Sequence, residues 1–211
     1  MKTPTFPEIS TKSDLECRTV LDNQILVIDN ILSVAECKAF VKHIDSLPLE
    51  LTPPKKRGEA ERHNHRISVT SKDFAVKLFS VLEPHLPLFL PMRGKKGAAR
   101  AAHSCNSNIR MYKYDASQYF GQVGQPHYDD DCKDALTGDK SEWTLLIYLT
   151  GCEDGVEGGE TVFYQGKQAV KPPLTRGTAL LHRHGRECLL HEGSSVLKGT
   201  KYVLRSDIMF R

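Results

Sequence analysis

The second half of the sequence consists of short apolar segments that follow one another at close intervals. Each is rich in β-branched, aliphatic and aromatic residues, and Gly, Pro and Asp separate one segment from the next. Short strands at such regular intervals are typical of a β-sandwich or β-barrel, because each strand ends where a tight turn reverses the chain. The segments are 108–114, 143–150, 161–164, 177–182, 188–191 and 201–210.

The first half carries helical signals. After a short strand-like run at 24–29, Ser33 and Glu36 have the spacing of a capping box, which begins a helix. Apolar residues then recur on one helical face until Pro48, and a second such stripe covers about 71–83. The polar stretches rich in proline or glycine, 51–65 and 91–104, are expected to be loops.

These patterns predict an α+β fold, with an N-terminal helical layer packed on a C-terminal β-barrel. No linker separates the two halves, and a length of 211 residues suits one domain. We therefore predict a single domain over residues 1–211. It would contain an N-terminal arm at 1–23, a helical support at 24–105 and the barrel core at 106–211.

Composition narrows the classes of function. The formal net charge of +3 is too small to indicate nucleic-acid binding by itself. The sequence has no secretory h-region and no run of about 18 apolar residues, so we expect a soluble intracellular protein, cytoplasmic or nuclear, without a membrane partner. The six cysteines lack CxxC spacing, which favours free thiols over a zinc site.

An H-x-D motif provides the first chemical signal. His127 and Asp129 lie two residues apart, and on a strand such residues point to the same side and can bind one ion. With His191 they would form the two-histidine, one-carboxylate facial triad that suits non-haem Fe(II). The alternative is a surface turn followed by a solvated acidic run at 129–131.

Further motifs follow in a fixed order. T-x-x-x-Y-L begins at Thr144, G-G-E-T-x-F covers 158–163, H-x-G begins at His191, and G-x-K ends at Lys201, ten residues later. Together with H-x-D they resemble the prolyl 4-hydroxylase-like family of 2-oxoglutarate/Fe(II) dioxygenases, over roughly 180 residues. The resemblance implies a double-stranded β-helix, or jelly-roll, barrel.

The resemblance also implies roles for individual residues. His127, Asp129 and His191 would be the catalytic centre and the iron ligands. Lys201 would bind the distal carboxylate of 2-oxoglutarate, since a dianion in a barrel needs a fixed cation.

Four more residues are candidates for the co-substrate pocket. Tyr114 and Thr144 stand where the family has a pocket tyrosine and threonine. Strand alternation leaves Tyr112 and Arg205 as rivals for the distal carboxylate, because Arg205 shares a strand face with Lys201. The sequence departs from the family pattern at 120–125, which reads as a small insertion and weakens the assignment of Tyr114. It departs again after Gly193, where serines replace a glycine–proline pair.

The implied reaction hydroxylates a C–H bond, consumes O2 and releases succinate and CO2, with ascorbate as the reductant. The expected substrate is a protein or peptide, with peptidyl proline as the first candidate. Two alternatives remain open. The ending from Arg205 to Arg211 is similar to that of the AlkB-type nucleic-acid demethylases, although Asp207 replaces their asparagine. A non-catalytic module that senses 2-oxoglutarate or iron is the other.

Two further histidines, an arginine and two loops can also be placed from the sequence. His182 and His184 are expected at the surface, and the alternative is a place directly behind the metal ligands. Arg66 is a candidate for substrate contact, against simple solvation in a loop. Substrate specificity is expected to reside in the loops around 52–66 and 92–106.

Overall fold

The computed structural model describes residues 5–54, 61–91, 97–121, 126–134 and 137–211. The loops predicted at 51–65 and 91–104, and the insertion predicted at 120–125, lie partly outside these residues. The described chain contains two α-helices, α1 (Val34–Asp45) and α2 (Lys72–Leu82). Short 3-10 turns cover Glu83–His85, Cys152–Asp154 and Gly185–Glu187.

Short strands make up most of the regular structure. They are β1 (Cys17–Leu21), β2 (Ile25–Ile28), β3 (Glu50–Leu51), β4 (Arg62–His63), β5 (His65–Thr70), β6 (Ser104–Cys105), β7 (Asn108–Tyr114), β8 (Tyr119–Phe120), β9 (Lys140–Tyr148), β10 (Glu157–Gly158), β11 (Thr161–Gln165), β12 (Gln168–Val170), β13 (Ala179–Arg183), β14 (Leu190–Gly193), β15 (Val196–Lys198) and β16 (Lys201–Phe210).

The strands form two main sheets, and every strand pair among the described residues is antiparallel. The large sheet has the order β1-β2-β13-β9-β16-β7-β5-β3, and β6 pairs with β16. The smaller sheet has the order β12-β11-β14-β8-β4, and β10 pairs with β15. Strands that are distant in sequence thus become neighbours, which brings the C-terminal β16 between β9 and β7.

The two helices bury their apolar faces against the large sheet. The Ser33 hydroxyl accepts from Glu36 N while the Glu36 carboxylate accepts from Ser33 N, so the predicted capping box begins α1. Phe40 of α1 and Leu78 of α2 share one hydrophobic cluster with Trp143 and other residues of the sheet, which we call the helix-side cluster. Among the described residues, no helix has the length and apolar character needed to span a bilayer.

A second cluster lies on the opposite face of the large sheet. There Val27, Leu180 and Val203 of the large sheet pack with Phe163 of the smaller sheet. The large sheet is therefore covered on both faces, which explains why β13 is buried at every position. The candidate functional site lies among the residues between the two sheets.

The prediction of a helical support at 24–105 was wrong for part of that region, because it also contributes strands to both sheets. β5 lies in it, immediately before α2, and pairs with β7 over its whole length. Ile67 and Val69 pack against the helix-side cluster, while Ser68 between them faces the other way. This period-two alternation is a strand pattern, and it begins at the last residue of the loop predicted at 51–65.

Candidate functional site

Two backbone hydrogen bonds bring the H-x-D motif beside β14. His127 N donates to His191 O at 2.8 Å, and His191 N donates to His127 O at 2.9 Å. His127 Nε2 lies 3.6 Å from Asp129 Oδ1, and His191 Nε2 lies 3.8 Å from Asp129 Oδ2. The three donor atoms all lie within 4.8 Å of one another. The structure thus brings together all three residues that the sequence selected.

The donor set fits a small cation. Three ligands on one face of an octahedral ion lie about 3 Å apart when each bond is about 2.1 Å, so shifts below about 1 Å would close the site. Neither ring nitrogen of His127 has a hydrogen-bond partner among the described residues, although both nitrogens are buried. Buried polar atoms without partners are rare, and a metal ion held by the cluster would give a partner to Nε2, the ring nitrogen that lies 3.6 Å from Asp129.

Burial and neighbouring charge set the protonation of the cluster. Burial by itself would raise the pKa of Asp129, but the Arg205 guanidinium and three nearby imidazoles outweigh it and hold that pKa well below its usual range. Burial lowers the pKa of His191 to about 4. The carboxylate is therefore charged and the imidazole neutral at pH 7, which are the forms that bind a metal.

A small cavity extends from this cluster between the sheets. Its wall includes Tyr112, Tyr114, Lys201 and Arg205, four of the residues predicted to bind the co-substrate. Lys201 pairs in register with Tyr114, and its Nζ lies 5.3 Å from the centre of that ring. Arg205 lies four residues further along β16, beside Asp129.

Lys201 is a buried cation without a carboxylate partner among the residues that the structure describes. Its side chain is 5% exposed, and its Nζ donates to Gly159 O at 2.5 Å. Within the described part of the chain, no carboxylate lies at ion-pair distance from it. Burial lowers its pKa to about 8, although the more distant Glu160 opposes that shift. A buried ammonium that faces a cavity in this way favours the binding of an anion.

Arg205 and Thr144, two more of the predicted co-substrate residues, contact Asp129 of the proposed metal site. Arg205 Nη2 lies 2.9 Å from Asp129 Oδ2, so this guanidinium forms an ion pair with the carboxylate of the cluster. The Thr144 hydroxyl donates to the same oxygen at 3.1 Å and contacts His184 Nδ1 at 2.9 Å. Since the hydroxyl has one hydrogen, His184 Nδ1 must donate to Thr144. Thr144 is thus directed at Asp129 and does not line the cavity.

The expectation that His182 and His184 lie at the surface was wrong. Both are almost fully buried. His182 Nε2 lies 3.8 Å from Asp129 Oδ2, and its ring centre lies 4.7 Å from that of His191. His182 shares a face of β13 with Leu180, which packs between the sheets, but both faces of β13 are buried, so strand alternation in the sequence did not single it out.

Cys188 is a second neighbour that the sequence did not single out. Its thiol accepts a hydrogen bond from Asp129 N at 3.3 Å and lies 3.8 Å from His191 Nδ1. Together with His182 and His191 it forms another group of close metal-binding atoms. Burial raises the pKa of Cys188 to about 12, so it is a neutral thiol behind the cluster.

Comparison with known proteins identifies the fold. No protein-family model and no curated protein sequence matches this chain. Among solved structures, the chain is similar to the viral collagen prolyl hydroxylase of Paramecium Bursaria Chlorella virus-1 in complex with 2-oxoglutarate. That match has 23% identity and a TM-score of 0.55, and covers 89% of this chain and 97% of the other.

Two further structures show the range of the likeness. A prolyl hydroxylase of Trichoplax adhaerens, in complex with a peptide of hypoxia-inducible factor, matches with 14% identity, a TM-score of 0.56 and coverage of 89% and 84%. OsALKBH1 matches with 10% identity, a TM-score of 0.58 and coverage of 92% and 100%. The chain therefore has the fold of the 2-oxoglutarate/Fe(II) oxygenases, and the predicted resemblance to prolyl hydroxylases is confirmed.

Proposed function

We propose that the protein is a 2-oxoglutarate- and Fe(II)-dependent dioxygenase that hydroxylates a C–H bond of a peptidyl residue, with proline as the first candidate. One observation carries the proposal. Asp129 and His191 of the two-histidine, one-aspartate cluster line the same small cavity as a buried lysine that has no counter-ion among the described residues. The first group suits Fe(II), and the second suits the distal carboxylate of 2-oxoglutarate.

In this proposal His127, Asp129 and His191 would hold the iron. Bound iron and 2-oxoglutarate would supply oxidative decarboxylation with O2, which yields succinate and CO2 and drives hydroxylation of the substrate. Ascorbate would serve as the reductant that keeps the iron ferrous. The two sheets would close around this centre as the double-stranded β-helix that the resemblance implies.

The protein's own residues then bind, orient and exclude water. Lys201 holds the distal carboxylate, while the buried rings of Tyr112 and Tyr114 form a dry wall beside it. Arg205 and Thr144 both contact Asp129 Oδ2 and thereby hold the carboxylate in one orientation. In metal sites generally, ion pairs and hydrogen bonds of this kind hold a metal-binding side chain in the orientation that the ion needs.

The test is an anaerobic titration of the full chain with Fe(II) and then with 2-oxoglutarate. We expect a visible metal-to-ligand charge-transfer absorption in the wild type, and none in His191→Ala. His103→Ala, which removes a partly exposed imidazole, is the matched control and should behave as wild type. Succinate release with peptide libraries under O2 and ascorbate then tests turnover.

Two outcomes would contradict the proposal. Fe(II) affinity that is equal in wild type and His191→Ala would show that these residues hold no metal. A normal iron complex without any spectral response to 2-oxoglutarate would retain the metal site but reject the co-substrate. Iron and 2-oxoglutarate binding without succinate release from any substrate would favour the sensor module.

A further inference from the structure

An arginine-rich groove lies beside the cavity on the large sheet. It is about 650 Å³ in volume, and its wall includes the side chains of Arg62, Arg66 and Arg110. Glu50 is the single carboxylate among the described residues of this wall. We refer to this surface, defined by Arg62, Arg66, Arg110 and Tyr112, as the arginine groove. Its volume lies in the usual range for a ligand site.

Strand register places the groove at the edge of the proposed active site. In β5 and β7, Arg66 pairs with Tyr112 and Ser68 pairs with Arg110, so these four residues share one sheet face. Tyr112 belongs both to the groove and to the wall of the cavity. Arg110 in turn pairs with Arg205 on β16. The groove and the cavity therefore lie on either side of Tyr112.

Two of the three guanidinium groups are available to a ligand. Within the described ranges, no carboxylate forms an ion pair with Arg66 or with Arg62. Arg62 instead lies 4.0 Å above the ring of Phe120, which packs 3.9 Å from the His127 ring. Arg110 is 3.2 Å from Asp207 and is already paired. Glu50, which pairs with Arg66 in strand register, offsets part of this charge, and the wall of the groove keeps a net positive charge.

Resting on the proposed function, we infer that the arginine groove binds an acidic peptide segment adjoining the residue that is hydroxylated. Charge complementarity selects the anion, and Arg suits carboxylates because its planar fork can donate two parallel hydrogen bonds. The residues that the structure describes in the wall of the groove favour a peptide over a single-stranded nucleic acid. Bases need exposed aromatic rings on which to stack, and Tyr112, the one aromatic residue in that wall, is 7% exposed.

The experiment measures binding of three fluorescent probes to the full chain by anisotropy. The first is a 12-residue peptide with a central proline and glutamates on both sides, and the second has glutamine at every glutamate. The third is a 12-nucleotide oligothymidylate. We expect the acidic peptide to bind roughly tenfold more tightly than the glutamine peptide, with the difference shrinking as salt is raised.

The variant that tests the assignment is the double substitution Arg62→Gln with Arg66→Gln. It should abolish most of the preference for the acidic peptide. Arg18→Gln is the matched control, because Arg18 lies on β1 at the opposite edge of the same sheet, paired with Asp29. It removes one positive charge away from the groove and should change affinity less than twofold.

Equal binding of the two peptides, or an undiminished preference in the double variant, would overturn the inference. Tighter binding of the oligothymidylate, lost in the double variant, would overturn it in favour of a nucleic-acid substrate. The binding measurement requires neither iron nor turnover. Its failure is therefore distinguishable from failure of the Fe(II) and 2-oxoglutarate titration, which tests the proposed function alone.

Discussion

At the residue scale, Lys201 links pH to the proposed co-substrate site. Its pKa is about 8 because burial disfavours the charged form. The rings of Tyr114 and Tyr148 face it, and the negative charge of Glu160 opposes the shift. The protonated amine is the form that pairs with a carboxylate, so affinity for 2-oxoglutarate should fall as pH rises through 8.

We expect the Kd for 2-oxoglutarate to increase by up to about tenfold per pH unit above pH 8 in the wild type. Isothermal titration between pH 6.5 and 9.5 measures this. Lys201→Arg keeps its charge over that range and should show a flatter profile, while Lys201→Met should bind weakly at every pH. A flat profile in the wild type would show that Lys201 does not bind the dianion.

His182 supplies a second prediction at this scale. Its Nε2 lies 3.8 Å from Asp129 Oδ2, and its ring packs 5.1 Å from that of Phe163. His182→Phe keeps the ring and removes the nitrogen, so we expect a loss of roughly 10–100-fold in Co(II) affinity with the fold intact. Competition with a chelating dye measures this. Unchanged affinity would assign His182 to packing, and His103→Phe is the control.

At the element scale, the N-terminus of α1 joins the arm to the helix through one carboxylate. Glu36 accepts from Ser33 N at 2.6 Å and from Ser10 N at 2.7 Å, and pairs with Lys12 at 2.8 Å. Burial would raise its pKa, but these contacts, Lys12 first, lower it to about 2. A depressed folded-state pKa stabilises the fold above the ordinary value of 4.5, and this stabilisation is lost as pH falls from there towards 2.

Glu36→Gln should therefore destabilise the protein by about 1–2 kcal/mol at pH 7, as expected for loss of a cap and a partly buried ion pair. The difference from wild type should shrink as pH approaches 3. Urea unfolding at several pH values measures it, with the exposed Glu8→Gln as the control. A difference that stays constant down to pH 3 would show that the charge of Glu36 contributes nothing.

Strand alternation on β16 illustrates what an element encodes locally. Lys201 and Arg205 share one face and Tyr202 and Leu204 the other, as the sequence predicted, and the two faces serve the cavity and the helix-side cluster respectively. Alternation could not choose between Lys201 and Arg205 as the partner of the dianion. Register favours our proposal that Lys201 is this partner, because it places Arg205 beside Asp129 and leaves Lys201 without a carboxylate partner among the described residues.

At the scale of the whole molecule, the large sheet joins the two hydrophobic clusters into what we propose is one cooperative unit. Trp143, the only tryptophan in the sequence, lies in the helix-side cluster. Its fluorescence and the far-ultraviolet circular dichroism should therefore report coincident unfolding transitions. Separate transitions for the two signals would indicate that the helices and the sheets unfold independently.

Ligand binding should stabilise this unit. With Mn(II) and 2-oxoglutarate at about a hundredfold over their Kd values, each could add about 2.7 kcal/mol, or a rise in Tm of about 5–10 °C for a chain of this size. Differential scanning fluorimetry measures the shift. It should vanish in His191→Ala and persist in His103→Ala. An equal shift in both variants would place the metal elsewhere.

The sequence by itself determined the features that depend on near neighbours along the chain. The capping box at Ser33 and Glu36, the alternation of β16 and the H-x-D motif are local patterns, since each follows from helical or strand geometry over a few residues. The spacing of Lys201 from His191 likewise selected a lysine that the structure places in the cavity wall.

Only the tertiary structure decided which distant groups meet. Both faces of β13 are buried, so polar and apolar residues do not alternate along it as they do on a half-exposed strand. The burial of His182 was therefore not evident from the sequence. The pairing of Arg205 with Asp129, and the partners of Thr144, depend on register between strands that are far apart in sequence. A shift of one residue in register would turn these side chains to the other face, and no local pattern fixes that choice.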